Sequence, residues 1–231
     1  MSLKVYVDRL SQPSRALLIF CKLNGIEFEE VPIDLSKGQH KSPEFEEVNP
    51  MKQVPAIAHG TFVLFESHAI LRYLASAFPG VADHWYPTDL QKRAKIESVL
   101  DWHHSNLRRG SVGYIFNTIL APAFGLPTNP QAAAEGKKLL SASLATIDTF
   151  WLQKDGSFLN GNSQPSLADL SLVCEIMQLE DRDSILSPHK NVLKWIDDVK
   201  SALAPHFDEI HATLFKVKEM FEKKRSAGAS S

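Results

Sequence analysis

Cysteine is almost absent: Cys21 and Cys174 are the only two in 231 residues, and both sit inside apolar helical patterns. That excludes a disulfide-stapled scaffold and reads as two buried core thiols suited to a reducing compartment. No segment approaches the ~20 apolar residues of a membrane span. Met1-Ser2-Leu3-Lys4-Val5 runs straight into a strand without the apolar stretch of a secretory leader. Charge of one sign is lacking as well: the net charge is −2 with acids and bases interspersed, so no face is set up for nucleic acid or an anionic bilayer. Metal-ligand spacing is missing, because His103 and His104 are neighbours about 100° apart on a helix, whereas helical ligand pairs need positions four apart. None of the nine histidines stands in the context of a hydrolase nucleophile. The tail Ala229-Ser230-Ser231 lacks a Ser-Lys-Leu type of peroxisomal address. These absences leave a cytoplasmic, metal-free globular protein as the expectation. What is present agrees: 44% apolar and 23% charged residues, in a chain long enough for one large domain or two small ones.

The most informative stretch is Gln53-Val54-Pro55-Ala56-Ile57-Ala58, then His59-Gly60, then Thr61-Phe62-Val63-Leu64-Phe65, then Glu66-Ser67 opening into Ala69 to Leu74. Two apolar runs about a glycine predict a β-hairpin whose return strand feeds a helix. Proline is tolerated at a strand's first residue, and a cis bond after Val54 would turn that residue's N–H and C=O outward for an extended peptide to pair with. At the other end Ser67 reads as the helix N-cap, putting a carboxylate, Glu66, beside free backbone N–H groups and a positive dipole end. A small zwitterionic peptide suits that set: carboxylate on the helix terminus, ammonium on Glu66, middle residue against Val54. Each feature alone has a plain structural explanation, an edge proline or a helix cap. Only the combination points to a ligand.

Upstream, Lys4 to Asp8 is a strand and Leu10-Ser11-Gln12-Pro13-Ser14-Arg15 the turn into a helix. With Pro13 at the first helical position, Gln12 is the expected N-cap, and the Ser11 hydroxyl lies just outside, able to donate to an anion that the dipole favours. That helix stops at Asn24-Gly25-Ile26. Phe28 to Asp34 reads as an edge strand because of Pro32. A polar loop, Lys37-Gly38-Gln39-His40-Lys41, precedes a short helix begun by Ser42-Pro43-Glu44. Strand, helix, strand, linking helix and hairpin-plus-helix make a thioredoxin-like domain over 1–80, and 81–88 is a linker. Residues 89–231 read as all-helical. Gly110 and Gly113 mark a bend or close packing, Pro122 to Pro130 a break, and 139–152 an amphipathic helix ending before Lys154-Asp155. Ser166 to Asp169 forms a capping box ahead of an apolar central helix. Val192, Trp195, Ile196 and Val199 line one further helix and Phe207 to Phe221 the last, with fraying expected from Lys223.

Together, Ser11-Gln12-Pro13-Ser14-Arg15, Gln39-His40-Lys41, Gln53-Val54-Pro55, Glu66-Ser67, Asp83-His84-Trp85-Tyr86-Pro87 and the Ser166 cap resemble the glutathione transferase family, in particular its plant-type theta class, over nearly the whole chain. The resemblance implies an α/β thioredoxin-like domain holding glutathione, an all-α domain completing an acceptor site, and a homodimer. It implies that Val54-Pro55 is a cis pair and Ser11 the catalytic hydroxyl. Gln12, His40, Lys41, Gln53, Val54, Pro55, Glu66 and Ser67 would line the glutathione site, and Arg108 the acceptor site. Glutathione is then a co-substrate with no tightly bound cofactor. The implied role is detoxification, by conjugating hydrophobic electrophiles or reducing organic hydroperoxides. The segment between Met177 and Pro188 is shorter than in plant relatives, and the C-terminus is short.

Glutathione's thiol, with a pKa near ~8.5, is only a few per cent thiolate at neutral pH. A hydrogen bond to a charged acceptor contributes roughly 1.5 to 3 kcal/mol, so Ser11 plus the helix dipole can lower that pKa by about one to two units. Two other readings compete. A thiol-disulfide oxidoreductase needs an exposed activated cysteine where Ser11 stands, and Cys21 lies well into the first helix. A non-catalytic carrier would use an apolar cleft for hydrophobic ligands and turn over nothing.

Overall fold

The computed structural model describes residues 2–152, 156–179 and 182–228. The stop at Lys154-Asp155, part of the Met177 to Pro188 segment and the tail Ala229-Ser230-Ser231 lie outside the described residues. Two compact units form: the chain up to Val81 together with everything from Leu203 onward, and Ala82–Ala202.

The first unit holds a four-stranded sheet in the order β2-β1-β3-β4, from β1 (Leu3–Val7), β2 (Glu29–Pro32), β3 (Ala56–His59) and β4 (Phe62–Phe65). β1 pairs parallel with β2 and antiparallel with β3, which pairs antiparallel with β4. Leu3, Val5 and Val7 alternate inward along β1, as a half-covered strand requires. β2 is an edge strand, which is how Pro32 is accommodated. Helix α1 (Gln12–Leu23) is buried from Ala16 through Cys21 because α3 (Ser67–Ala77) and α11 (His206–Gly228) pack on it. It ends as expected: Gly25 at φ 61°, with Ile26 N–H reaching the Cys21 carbonyl at 2.9 Å. Between the strands, α2 (Pro43–Val48) is capped by Ser42, which accepts from Phe45 N–H at 3.2 Å. α11, which the sequence pattern puts with the helical domain, groups with this unit; Lys22 pairs with Glu209 at 2.8 Å. It also runs on through Gly228 where fraying was expected from Lys223.

In the second unit, α4 (Leu90–His103) continues through a π-helical turn (His104–Arg108) into α5 (Arg109–Ile115), a second such turn (Phe116–Leu120) and α6 (Ala121–Ala123). α7 (Pro130–Thr146) is capped by Asn129, so Pro130, read from sequence as part of a break, instead starts a helix; a third π turn (Ile147–Trp151) ends it. α8 (Leu167–Ile176) is buried along its whole length behind the expected capping box. Asp169 accepts from the Ser166 N–H and hydroxyl (both 2.8 Å), from Leu159 N–H and from Trp195 Nε1 (both 2.9 Å). The short α9 (Arg182–Ile185) leads to α10 (Lys190–Ala202), whose buried face is Val192, Trp195, Ile196 and Val199, as the periodicity predicts. No described helix is long and apolar enough to cross a membrane.

Candidate functional site

Register brings three segments to one end of the sheet. Tyr6 faces Ala56 and Ala56 faces Phe65, so the turn after β1, the segment before β3 and the segment after β4 are neighbours there. These carry Ser11, Val54-Pro55 and Glu66-Ser67. β2 runs parallel to β1, with Pro32 beside Val7 and Ile33 N–H on the Val7 carbonyl at 2.8 Å. The chain to His40 and Lys41 therefore departs from the same end.

Ser11 itself, not Gln12, is the N-cap of α1, at φ −74° and ψ 125°. Gln12 is the first helical residue and Pro13 the second, a position whose N–H has no partner within the helix. The Ser11 side chain makes no capping bond, so its hydroxyl stands at the positive helix end without that duty. The turn carrying it is tied down. Ser11 N–H donates to the Asp8 carbonyl (2.9 Å), and the Asp8 carboxylate accepts from Leu10 N–H (2.8 Å) and Leu35 N–H (3.1 Å). Arg9 grips Glu30 through two bonds of 2.8 and 2.7 Å, and Glu30 raises the Arg9 pKa.

The Val54-Pro55 bond is cis, as expected. Pro55 is buried, Val54 half-buried and Gln53 exposed. The backbone there is held by Asn49, absent from the sequence reading: its amide donates to the Gln53 carbonyl at 2.7 Å and its Oδ1 accepts from Met51 N–H at 2.9 Å. An Asn-Pro pair after a helix gives only a turn signal. Glu66, not Ser67, occupies the N-cap of α3, at φ 71° and ψ 109°, with its exposed side chain capping nothing. Ser67 is the first helical residue. His40 and the exposed Lys41 lie on a 3-10 turn, Gln39–Lys41; the His40 Nδ1 is buried without a partner among the described residues.

Arg108 belongs to the other unit, in its first π turn. There its Nη1 donates to the wholly buried Glu175 carboxylate at 2.9 Å. Ser111 and Gln178 also donate to Glu175, and His103 Nε2 lies 3.7 Å away. Burial alone would raise that carboxyl; the neighbouring His103, the Arg108 charge and the Ser111 bond outweigh it and hold the pKa down to about 2. The sequence reading missed Glu175, because one acid in an apolar helix carries no periodic signal. Cys21 is buried and its thiol pushed up to about 12 by that burial. Among the described residues no group of His, Cys, Asp and Glu could hold a metal ion.

A thioredoxin-like sheet with two helix N-termini and a cis-proline at one end, in a chain that continues into a helical unit, defines the class of fold. The family model for the "Glutathione S-transferase, N-terminal domain" matches residues 1–76. Glutathione S-transferase T1 of Arabidopsis thaliana is 62% identical over 100% of this chain and 96% of its own. Glutathione S-transferase T3 of the same plant is 58% identical over 100% of this chain, which spans 40% of that longer protein. The crystal structure of human glutathione transferase theta-2, in complex with glutathione and an unknown ligand, superposes with a TM-score of 0.87 at 34% identity, covering 96% of this chain and 91% of that one. The chain belongs to the glutathione S-transferase family, in its theta class.

Proposed function

We propose that this transferase activates glutathione as a thiolate by a hydrogen bond donated from the Ser11 hydroxyl. The sulfur attacks either an electrophilic carbon, forming a thioether as the leaving group departs, or the terminal oxygen of an organic hydroperoxide. In the second case the O–O bond breaks, an alcohol leaves, and the glutathione sulfenic acid is reduced by a second glutathione to disulfide and water. The carrying observation is Ser11 at the N-cap of the twelve-residue α1 with no capping bond of its own. A hydroxyl so placed can donate to an anion that the dipole also stabilises. In this reading the glutathione carboxylate sits on Ser67 and the α3 N-terminus, its ammonium on Glu66 and its backbone on Val54 beside cis-Pro55. Gln12, His40, Lys41 and Gln53 complete that site. Arg108 faces the acceptor, with the exposed apolar residues Val112, Phe116, Leu120 and Phe124, spaced four apart, as its apolar wall. The protein acts in the cytoplasm in detoxification, as a homodimer, and sedimentation is expected to give twice the 25.8 kDa chain mass; a monomer would refute that assembly.

Ser11→Ala is the test, assayed for reduction of cumene hydroperoxide and for conjugation of an electrophilic arene. Loss of one electrostatic donor is expected to lower turnover by roughly a hundredfold. Wild-type turnover in the variant would remove the Ser11 mechanism. Glutathione binding by the native protein with no turnover of either substrate would support a carrier instead.

A further inference from the structure

Arg15 is wholly buried, at 0% exposure, and among the largest fully buried side chains of the chain. A buried guanidinium is costly unless acceptors are aimed at it, and an apolar side chain of similar volume is often at least as stable in such a place. Its placement therefore asks what the bonds hold. Nη1 donates to the Leu10 carbonyl at 2.7 Å and to the Arg9 carbonyl at 3.2 Å, the two peptide oxygens immediately before Ser11. The backbone N–H of the same residue donates to the Ser11 carbonyl at 3.1 Å. The side chain thus grips two consecutive carbonyls, 9 and 10, from inside the first unit, and the backbone bond to Ser11 is the first turn of α1. Asp8 and the Arg9–Glu30 pair hold the same turn from its outer side.

We propose that Arg15 is a positioning residue for the Ser11 hydroxyl, setting its direction through the carbonyls of Arg9 and Leu10. Small displacements of a donor at a reacting atom carry large rate losses. The turn between β1 and α1 has no regular ladder of its own, so side-chain anchors must fix it. Arg15 provides the anchor whose side-chain bonds end on the carbonyls of the two residues before Ser11. The inference rests on the Ser11 mechanism proposed above.

The experiment titrates bound glutathione by the ultraviolet absorbance of its thiolate in the wild type, Ser11→Ala, Arg15→Met, Arg15→Lys, and the two double variants. Melting temperature and glutathione KM are measured alongside. Arg15→Met is expected to raise the pH at which bound glutathione ionises by about one unit, and Arg15→Lys, which keeps a cation with a single donor nitrogen, by about half a unit. Glutathione KM is expected to stay within about threefold, and each double variant to match Ser11→Ala alone. Should Arg15→Met fail to fold, the lysine variant and its double carry the same comparison. Ionisation unchanged in the Arg15 variants, whatever the melting temperature does, overturns the positioning role and leaves the Ser11 mechanism standing. Additive shifts in the double variants overturn it too, because Arg15 would then act by its own charge. Ionisation unchanged in Ser11→Ala defeats the Ser11 mechanism itself, and the positioning role with it.

Discussion

Glu66 shows how a single residue can be set against its own backbone. At φ 71° and ψ 109° it occupies a region that L side chains seldom adopt, where strain is on the order of 1–3 kcal/mol. A helix entered from a tight strand end leaves the N-cap little choice, and the carboxylate is thereby presented outward. Glu66→Gly is expected to raise thermal stability by about 1 kcal/mol through relief of that strain. The same change is expected to weaken glutathione binding roughly tenfold or more, by loss of the charge-assisted bond to the ammonium proposed above. Calorimetry and a glutathione titration on one variant check both; a variant both less stable and equally tight would contradict the account. At the same scale, burial holds Cys21 protonated at neutral pH, so the oxidoreductase alternative has no nucleophile there. The types Ser11, Pro55, Glu66 and Ser67 were legible from chemistry and local order. Which of two neighbours caps each helix was not, because the cap is decided by where the backbone turns rather than by which side chain prefers the post.

Elements meet most closely where α5 crosses α7. A Cβ on Gly136 would lie 2.6 Å from Tyr114 N and 2.8 Å from the Gly113 carbonyl carbon, and one on Gly110 would lie 2.6 Å from Leu140 N. These are backbone atoms, which cannot swing aside, so a methyl group must part the two helices. Gly136→Ala is expected to cost about 3 kcal/mol and lower the melting temperature by roughly 6 to 12 °C. Gly113→Ala, whose Cβ would come no nearer than 3.5 Å, is the control and is expected to change stability little. Equal melting temperatures for the two variants would refute the crossing as the cause. Close packing at Gly110 was legible from two glycines in a helical pattern. Gly136 was not, since the helix was expected to begin only at 139. The three π turns also left no trace in the pattern: one residue inserted into a helical ladder shifts the apolar face by about 100°, which a short window cannot tell from noise.

For the molecule as a whole, acid is the informative stress. Glu175 has its pKa depressed from an ordinary 4.5 to about 2, so its contribution to stability is complete above about pH 4.5 and is lost as the pH falls toward 2. That contribution is on the order of 3 kcal/mol. Asp169 works in the opposite sense, because burial raises its pKa despite the bonds from Leu159, Trp195 and Ser166. Comparison with Glu175→Gln isolates the Glu175 contribution. The variant is expected to be about 2 to 4 kcal/mol less stable at pH 7, since an Arg108 only a third exposed loses the opposite charge of Glu175, and to show a flatter fall in stability between pH 4.5 and 2. Denaturant melts across that range measure it, and parallel pH profiles for the two proteins would rule Glu175 out as the acid-labile group.

By itself the sequence determined the strand and helix order of the first unit, the hairpin, the thioredoxin-like and all-helical fold classes, and the residue types that flank the hairpin and open α1. Those depend on local signals: apolar period, proline and glycine placement, capping chemistry. Tertiary structure alone decided that Tyr6, Ala56 and Phe65 align, bringing three separate segments to one end of the sheet. It also decided that α11 belongs with the first unit, and that Arg15 and Glu175, ordinary surface types by composition, are buried at 0% exposure. Register and burial are properties of what a residue faces across the fold, and neighbours in sequence carry no record of that.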